Sequence, residues 1–187
     1  MSAENQMTSA PSPQGRRIIV AVVTGETGAR IQAWREQYDP REALRLPPHA
    51  TLCYWAPDAP TEDIERQVRY AFPSTTDVRL GGVRQGSNDQ GTLYVEVLDR
   101  TPLDEALQRL YDGTHVEFPG LREWRWHVTC VRDTRGKDVA ALKQAAASLP
   151  DESSWQVDTV AYLELRGERY EPIALWRLEH SEALGLR

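Results

Sequence analysis

Pro48-His49-Ala50-Thr51-Leu52 reappears in outline further along the chain as Trp126-His127-Val128-Thr129-Cys130. Each stretch is a histidine, one spacer and a threonine among apolar and aromatic residues, which reads as a β-strand. Residues two apart in a strand project from the same face, so His49 points with Thr51 and His127 with Thr129. The chain has 187 residues and four histidines. Two histidine-spacer-threonine hits among so few histidines arise by chance in about 3% of comparable sequences, a modest signal for so short a motif. The surroundings strengthen it.

Arg17-Ile18-Ile19-Val20-Ala21-Val22-Val23 is a continuous apolar run, the pattern of a central strand buried on both faces. Ile31, Trp34 and Tyr38 recur at helical spacing until Asp39-Pro40, and an arginine-rich connection leads to Pro47-Pro48. That proline pair forces an extended approach to a strand from His49 to Trp55. Thr61 caps a helix with Ile64, Val68, Ala71 and Phe72 inward, and a weak strand follows from Val78 to Val83, softened by Gly81-Gly82. After the turn at Gly86 to Gly91 the order restarts. A strand runs from Thr92 to Leu98. Thr101-Pro102 opens a helix carrying Leu103, Ala106, Leu107 and Leu110, and the second motif strand spans Trp124 to Arg132. A helix with Val139, Leu142, Ala146 and Leu149 inward ends at Pro150, and two strands, Val157 to Leu165 and Ile173 to Leu178, close the chain.

The repeated order predicts an α+β fold of two pseudo-symmetric lobes, built from a duplicated strand-helix-strand unit. Its two-fold relation would bring both motifs to a central cleft. Residues 1–15 read as a flexible tail, polar and rich in Ser, Pro and Ala, and 16–187 as a single bilobal domain. Lys plus Arg number 22 against 28 Asp plus Glu, a formal charge of −6, which argues against a general binder of long duplexes. A small nucleotide or an RNA end in a locally basic cleft remains compatible. With neither signal peptide nor apolar run of membrane length, the expectation is a cytoplasmic monomer without a membrane partner.

Phosphodiester cleavage without a metal needs a base on the attacking oxygen and an acid on the leaving one. Histidine suits both roles because its free pKa lies near neutrality. Threonine hydroxyls donate to the non-bridging oxygens, where charge accumulates. His49, Thr51, His127 and Thr129 are therefore the candidate catalytic set, with the roles of the two histidines left open. No metal and no cofactor is expected. Tyr54 and Trp55 are candidate base-stacking residues, since every base offers a π-face.

The paired motifs in duplicated units resemble the 2H phosphoesterase superfamily, and within it the bacterial 2′-5′ RNA ligase and 2′,3′-cyclic phosphodiesterase branch. The hydrophobic residue after the threonine is Leu52 in the first motif and Cys130 in the second, a mild departure. Arg132 matches a basic residue that follows the second motif, which implies a phosphate contact. The segment Val157 to Leu178, with Gly167 and Tyr170, is similar to the family's final hairpin. The resemblance implies a two-lobed α+β fold and a metal-independent hydrolase for 2′,3′-cyclic phosphate RNA ends or related nucleotide phosphodiesters, with reverse 2′-5′ RNA ligase activity as a further expectation. The alternative within the same fold is a non-catalytic module that binds a nucleotide or RNA end.

Other readings are plainer. Two His and two Cys raise a structural zinc site, but in regular strands His49 and Cys53 share a face whereas His127 and Cys130 oppose each other. Trp126 is expected inside a lobe and His115 and His180 on the surface. Arg122, Arg125, Arg132 and Arg135 make a local basic cluster.

Overall fold

The apolar run forms β1 (Arg17–Val22), its four middle residues buried. Then come α1 (Gly25–Tyr38), α2 (Pro40–Arg45), β2 (His49–Cys53), α3 (Thr61–Ala71), β3 (Thr76–Gln85) and β4 (Leu93–Val97). The second half holds α4 (Thr101–Asp112), β5 (His127–Val131), α5 (Val139–Ala145) with a 3₁₀ turn behind it, β6 (Ser154–Val157), β7 (Thr159–Arg166) and β8 (Arg169–Arg177). The computed structural model describes residues 15–118, 126–149 and 153–180. Apart from Gly15, the expected tail lies outside them, as do Arg122, Trp124, Arg125 and Pro150.

Two four-stranded sheets form, in the orders β2-β1-β7-β8 and β5-β4-β3-β6, with every recorded pairing antiparallel. β1 and β2 stand in the first sheet as β4 and β5 stand in the second, so the predicted α+β duplication is present. The lobes are not consecutive halves of the chain, however. β3 follows α3 but joins the second sheet, while the β7–β8 hairpin returns to the first. Each unit lends its closing strand to the other. The motif strands β2 and β5 lie against each other where the sheets meet.

Several boundaries differ from the sequence expectation for local reasons. Asp39-Pro40 ends α1 but also begins α2, with Pro40 at the first helical position, where its missing N–H costs nothing. The expected connection is thus a helix. Thr61 and Thr101 are first helical residues rather than caps; Pro60 and Arg100 precede them, and neither makes a side-chain cap bond. β3 runs from Thr76 to Gln85, two residues past the expected strand at each end, and Gly81-Gly82 is taken up in a register shift of the ladder between Leu80 and Val83. Three strands close the chain where two were expected, since Asp158 separates β6 from β7.

One large core runs behind both sheets, joining Ile19, Leu52 and Val160 to Leu80, Val95 and Val128 beneath the helices. A second, small cluster of Ile18, Val20, Leu46, Ala161 and Leu163 covers the other face of the first sheet. Gln67 sits in α3's buried stripe, fully buried, where an apolar residue would be expected. Its amide donates to the Leu110 carbonyl at 2.7 Å and accepts from His115 N–H at 3.1 Å, tying α3 to the end of α4.

Candidate active site

Pro47-Pro48 delivers His49 at the first position of β2. The Pro48 carbonyl accepts from Val23 N–H at 2.9 Å, extending the β1–β2 ladder up to the motif. The Pro47 carbonyl lies 2.7 Å from His49 Nδ1 and accepts its proton. That bond places the ring's hydrogen on Nδ1 and leaves the Nε2 lone pair as the basic position. Thr51, paired with Val20, lies two residues on. β5 presents His127 and Thr129 likewise, opposite Glu96 and Tyr94 of β4. The Tyr94 and His127 rings pack with centroids 5.4 Å apart.

Both motifs line one cleft. The structure brings His49, Thr51, His127, Thr129, Arg132 and Tyr54 into it together. Trp55 stands at the rim, its ring 5.2 Å from the Arg16 guanidinium. Tyr54 and Trp55 are exposed, as stacking residues would have to be. Trp126 is buried as expected, its indole N–H donating to Asp104 at 2.7 Å. His180 is exposed and 3.5 Å from the Thr75 hydroxyl.

The cleft is cationic although the chain is acidic. Arg16, Arg35, Arg45 and Arg132 line it against a single lining carboxylate, Glu42. Arg132 is anchored from behind, its backbone N–H donating to the Asp39 carboxylate at 2.9 Å while its guanidinium reaches toward Glu42 at 3.9 Å. Arg35 was not singled out in the sequence, though it shares the buried stripe of α1 with Ile31 and Trp34. A charged residue on that stripe was the available signal. It is 2% exposed and donates to the carbonyls of Glu42 at 2.7 Å and Leu46 at 2.8 Å. Burial depresses its pKa, opposed by Cys130, Glu42 and Asp39.

His49 is pushed down to about 4, chiefly because the site withdraws the ring from water. The Pro47 bond opposes that fall, while the positive charges of Arg35, His127 and Arg132 add to it. His49 is therefore neutral at physiological pH.

The cysteines stand behind the motif strands, and one expectation is corrected here. A register shift between Ile19 and Val20 turns Cys53 into the main core, against which Tyr111 of α4 packs, so it does not share the face of His49. Cys130 lies in the same core, its thiol 3.8 Å from the Val128 carbonyl. Burial raises both thiols, Cys130 to about 12. Among the described residues no three His, Cys, Asp or Glu are placed to hold a metal ion.

Fold and cleft together define a two-lobed protein with a paired histidine-threonine site. The chain belongs to the 2′-5′ RNA ligase superfamily, whose family profile matches residues 24–169. Among solved structures it is similar to one described as a phosphoesterase (18% identity, TM-score 0.56, covering 89% of this chain and 99% of that one). LigT of E. coli complexed with 3′-AMP shares the fold at 19% identity and a TM-score of 0.52, covering 88% and 98% of the two chains. A Thermus thermophilus protein does so at 16% and 0.55, covering 89% and 99%. No curated protein sequence matches. No described helix is long and apolar enough to cross a membrane.

Proposed function

We propose that the chain is a metal-independent phosphoesterase that opens 2′,3′-cyclic phosphate RNA ends or related nucleotide phosphodiesters. His49 is the general base and His127 the general acid. The observation that carries this reading is the state of His49: neutral, with its proton on Nδ1 toward Pro47 and its lone pair on Nε2, in a cleft that also holds His127. LigT structures are described with 3′-AMP, ATP and NADP+, which supports a nucleotide ligand for the shared fold.

In the proposed step Nε2 of His49 takes a proton from water as its oxygen bonds to phosphorus. The bond from phosphorus to one ribose oxygen breaks, and that oxygen takes a proton from the His127 imidazolium. The products are a nucleoside monophosphate, protonated His49 and neutral His127, and the pair resets by exchange with solvent. Thr51 and Thr129 donate to the non-bridging oxygens, and Arg132 offsets their charge. Tyr54 and Trp55 offer the base a stacking surface. With the 5′-hydroxyl of another RNA in place of water, the same step opens the cyclic phosphate onto that oxygen and, when the 3′ oxygen leaves with the His127 proton, forms a 2′-5′ link.

The test is turnover of a nucleoside 2′,3′-cyclic phosphate by the wild-type chain, His49→Ala and His127→Ala, with and without chelator. Each alanine variant is expected to lose roughly 10² to 10⁴ in rate, the ordinary share of a proton-transfer group. Chelation is expected to change nothing. Tight nucleotide binding without turnover would instead mark a binding module. Loss of rate on chelation, restored by added metal, would refute the proposed acid-base pair.

A further inference from the structure

The cleft carries more positive charge than one phosphodiester needs, and the excess is gathered in one place. Arg16 donates through Nε to the Tyr170 hydroxyl at 2.7 Å, and its guanidinium lies 5.7 Å from the Tyr170 ring. Arg45 lies 5.6 Å from the same ring. Arg16 has no carboxylate partner among the described residues, and Arg45 shares Glu42 with Arg132. Both guanidiniums line the cleft beside one ring, and an anion held near them is stabilised by two positive charges.

Their place in the sheet says where that anion sits. Val20 is paired with Thr51 at the level of the first motif. Arg16 lies four residues back along the same strand line, about 13 Å of extended chain. It bonds to Leu165, which is paired with Tyr170. Between the two polar levels the cleft lining includes apolar Ile18 and Leu46, which belong to one small buried cluster with Leu163. Polar at both ends and apolar between, this surface matches a nucleoside carrying a phosphate on either side.

We propose that Arg16 and Arg45, set about Tyr170, form a second phosphate subsite, one nucleoside away from the scissile phosphate. The inference rests on the phosphodiester reading above and specifies its substrate: a nucleotide that bears a further phosphate, not a free nucleoside phosphate. A bridging phosphate of an RNA chain and a terminal 5′-phosphate share the chemistry required.

The experiment is calorimetric titration of the full chain with adenosine 3′-monophosphate, adenosine 3′,5′-bisphosphate and a diadenosine 3′-phosphate whose second phosphate is bridging. The bisphosphate or the dinucleotide is expected to bind about tenfold tighter than the monophosphate, the gain from one charge-assisted hydrogen bond. A gain with both probes supports a subsite for bridging and terminal phosphates alike. A gain with one alone supports it for that source. Arg16→Gln and Arg45→Gln are each expected to bring the affinity ratio toward one, and Arg16→Lys to keep most of it. If the monophosphate binds and neither larger probe gains, the subsite is overturned while the phosphodiester reading stands. A gain that survives both glutamine variants overturns the assignment to these arginines. Binding of none of the three overturns the phosphodiester reading and the subsite with it.

Discussion

His49 answers chiefly to withdrawal from water, then to the Pro47 carbonyl and the buried Arg35, with His127 and Arg132 behind them. A general base must be unprotonated, so kcat/KM falls as pH drops through its pKa. With His49 held near 4, the acid limb is expected well below neutrality. Arg35→Met removes a positive neighbour, so His49 titrates higher and the limb moves toward neutrality. Arg35→Lys keeps the charge and is expected to hold the limb in place. An unmoved limb in the methionine variant would separate Arg35 from the base. The folded state also loses stability as pH falls from about 6.5 toward about 4, because the unfolded ring takes up its proton first. For the threonines, Thr51→Val and Thr129→Val preserve the β-branched shape and remove only the hydroxyl. Each is expected to lower kcat by about 10² or more with an unchanged circular dichroism spectrum, the cost of one lost oxyanion donor. The motif residues were legible because strand alternation alone decides that a histidine and the second residue after it share a face. Arg35 and Arg45 were not, because a helix in isolation does not say which neighbour its stripe will meet.

At the scale of elements, α1 packs closely against Val23, the residue that follows β1. A Cβ on Gly28 would lie 2.0 Å from the Val23 carbonyl oxygen, a backbone atom that cannot swing away. Gly28→Ala is therefore expected to lift α1 from the sheet and cost roughly 1–3 kcal/mol, the range for overpacking. That is a fall of several degrees in Tm for a domain of this size, checked by thermal denaturation. Because α1 carries Arg35, activity is expected to fall further than stability accounts for. Helices and strands were mostly legible in type from their apolar periods; α2 and the separate β6 were not, and the other differences fell at element ends. Pro40 marks both a stop and a start, and β3 reaches Thr76 and Gln85 because β6 and β4 pair with those ends.

For the whole molecule, two sheets suggest two units, yet each sheet contains a strand from the other half of the chain. Neither lobe has a complete sheet without the other, and one continuous core lies behind both. A single cooperative unfolding transition is expected, with fluorescence, circular dichroism and calorimetry coinciding. Trp34 on α1 and Trp155 on β6 report on the two sides. Retaining each as the dominant fluorophore in turn should give the same midpoint, and two distinct midpoints would contradict the interlocked arrangement. The duplication was legible in the order of elements. The exchange of strands was not, since β3 and β7 carry no local mark of which sheet they will join.

The return of the last hairpin also sets an order of events during synthesis. Chains leave the ribosome from the N-terminus, and domains fold as their parts emerge. The second sheet has all four of its strands once Val157 is out, while the first still waits for β7 and β8, up to Arg177. The lobe that begins the chain is thus the last to close, and His49, made long before His127, is the later of the two to be seated. A nascent chain stalled before Thr159 carries both histidines and both threonines but lacks Tyr170 of the cleft lining and the two strands that complete the first sheet.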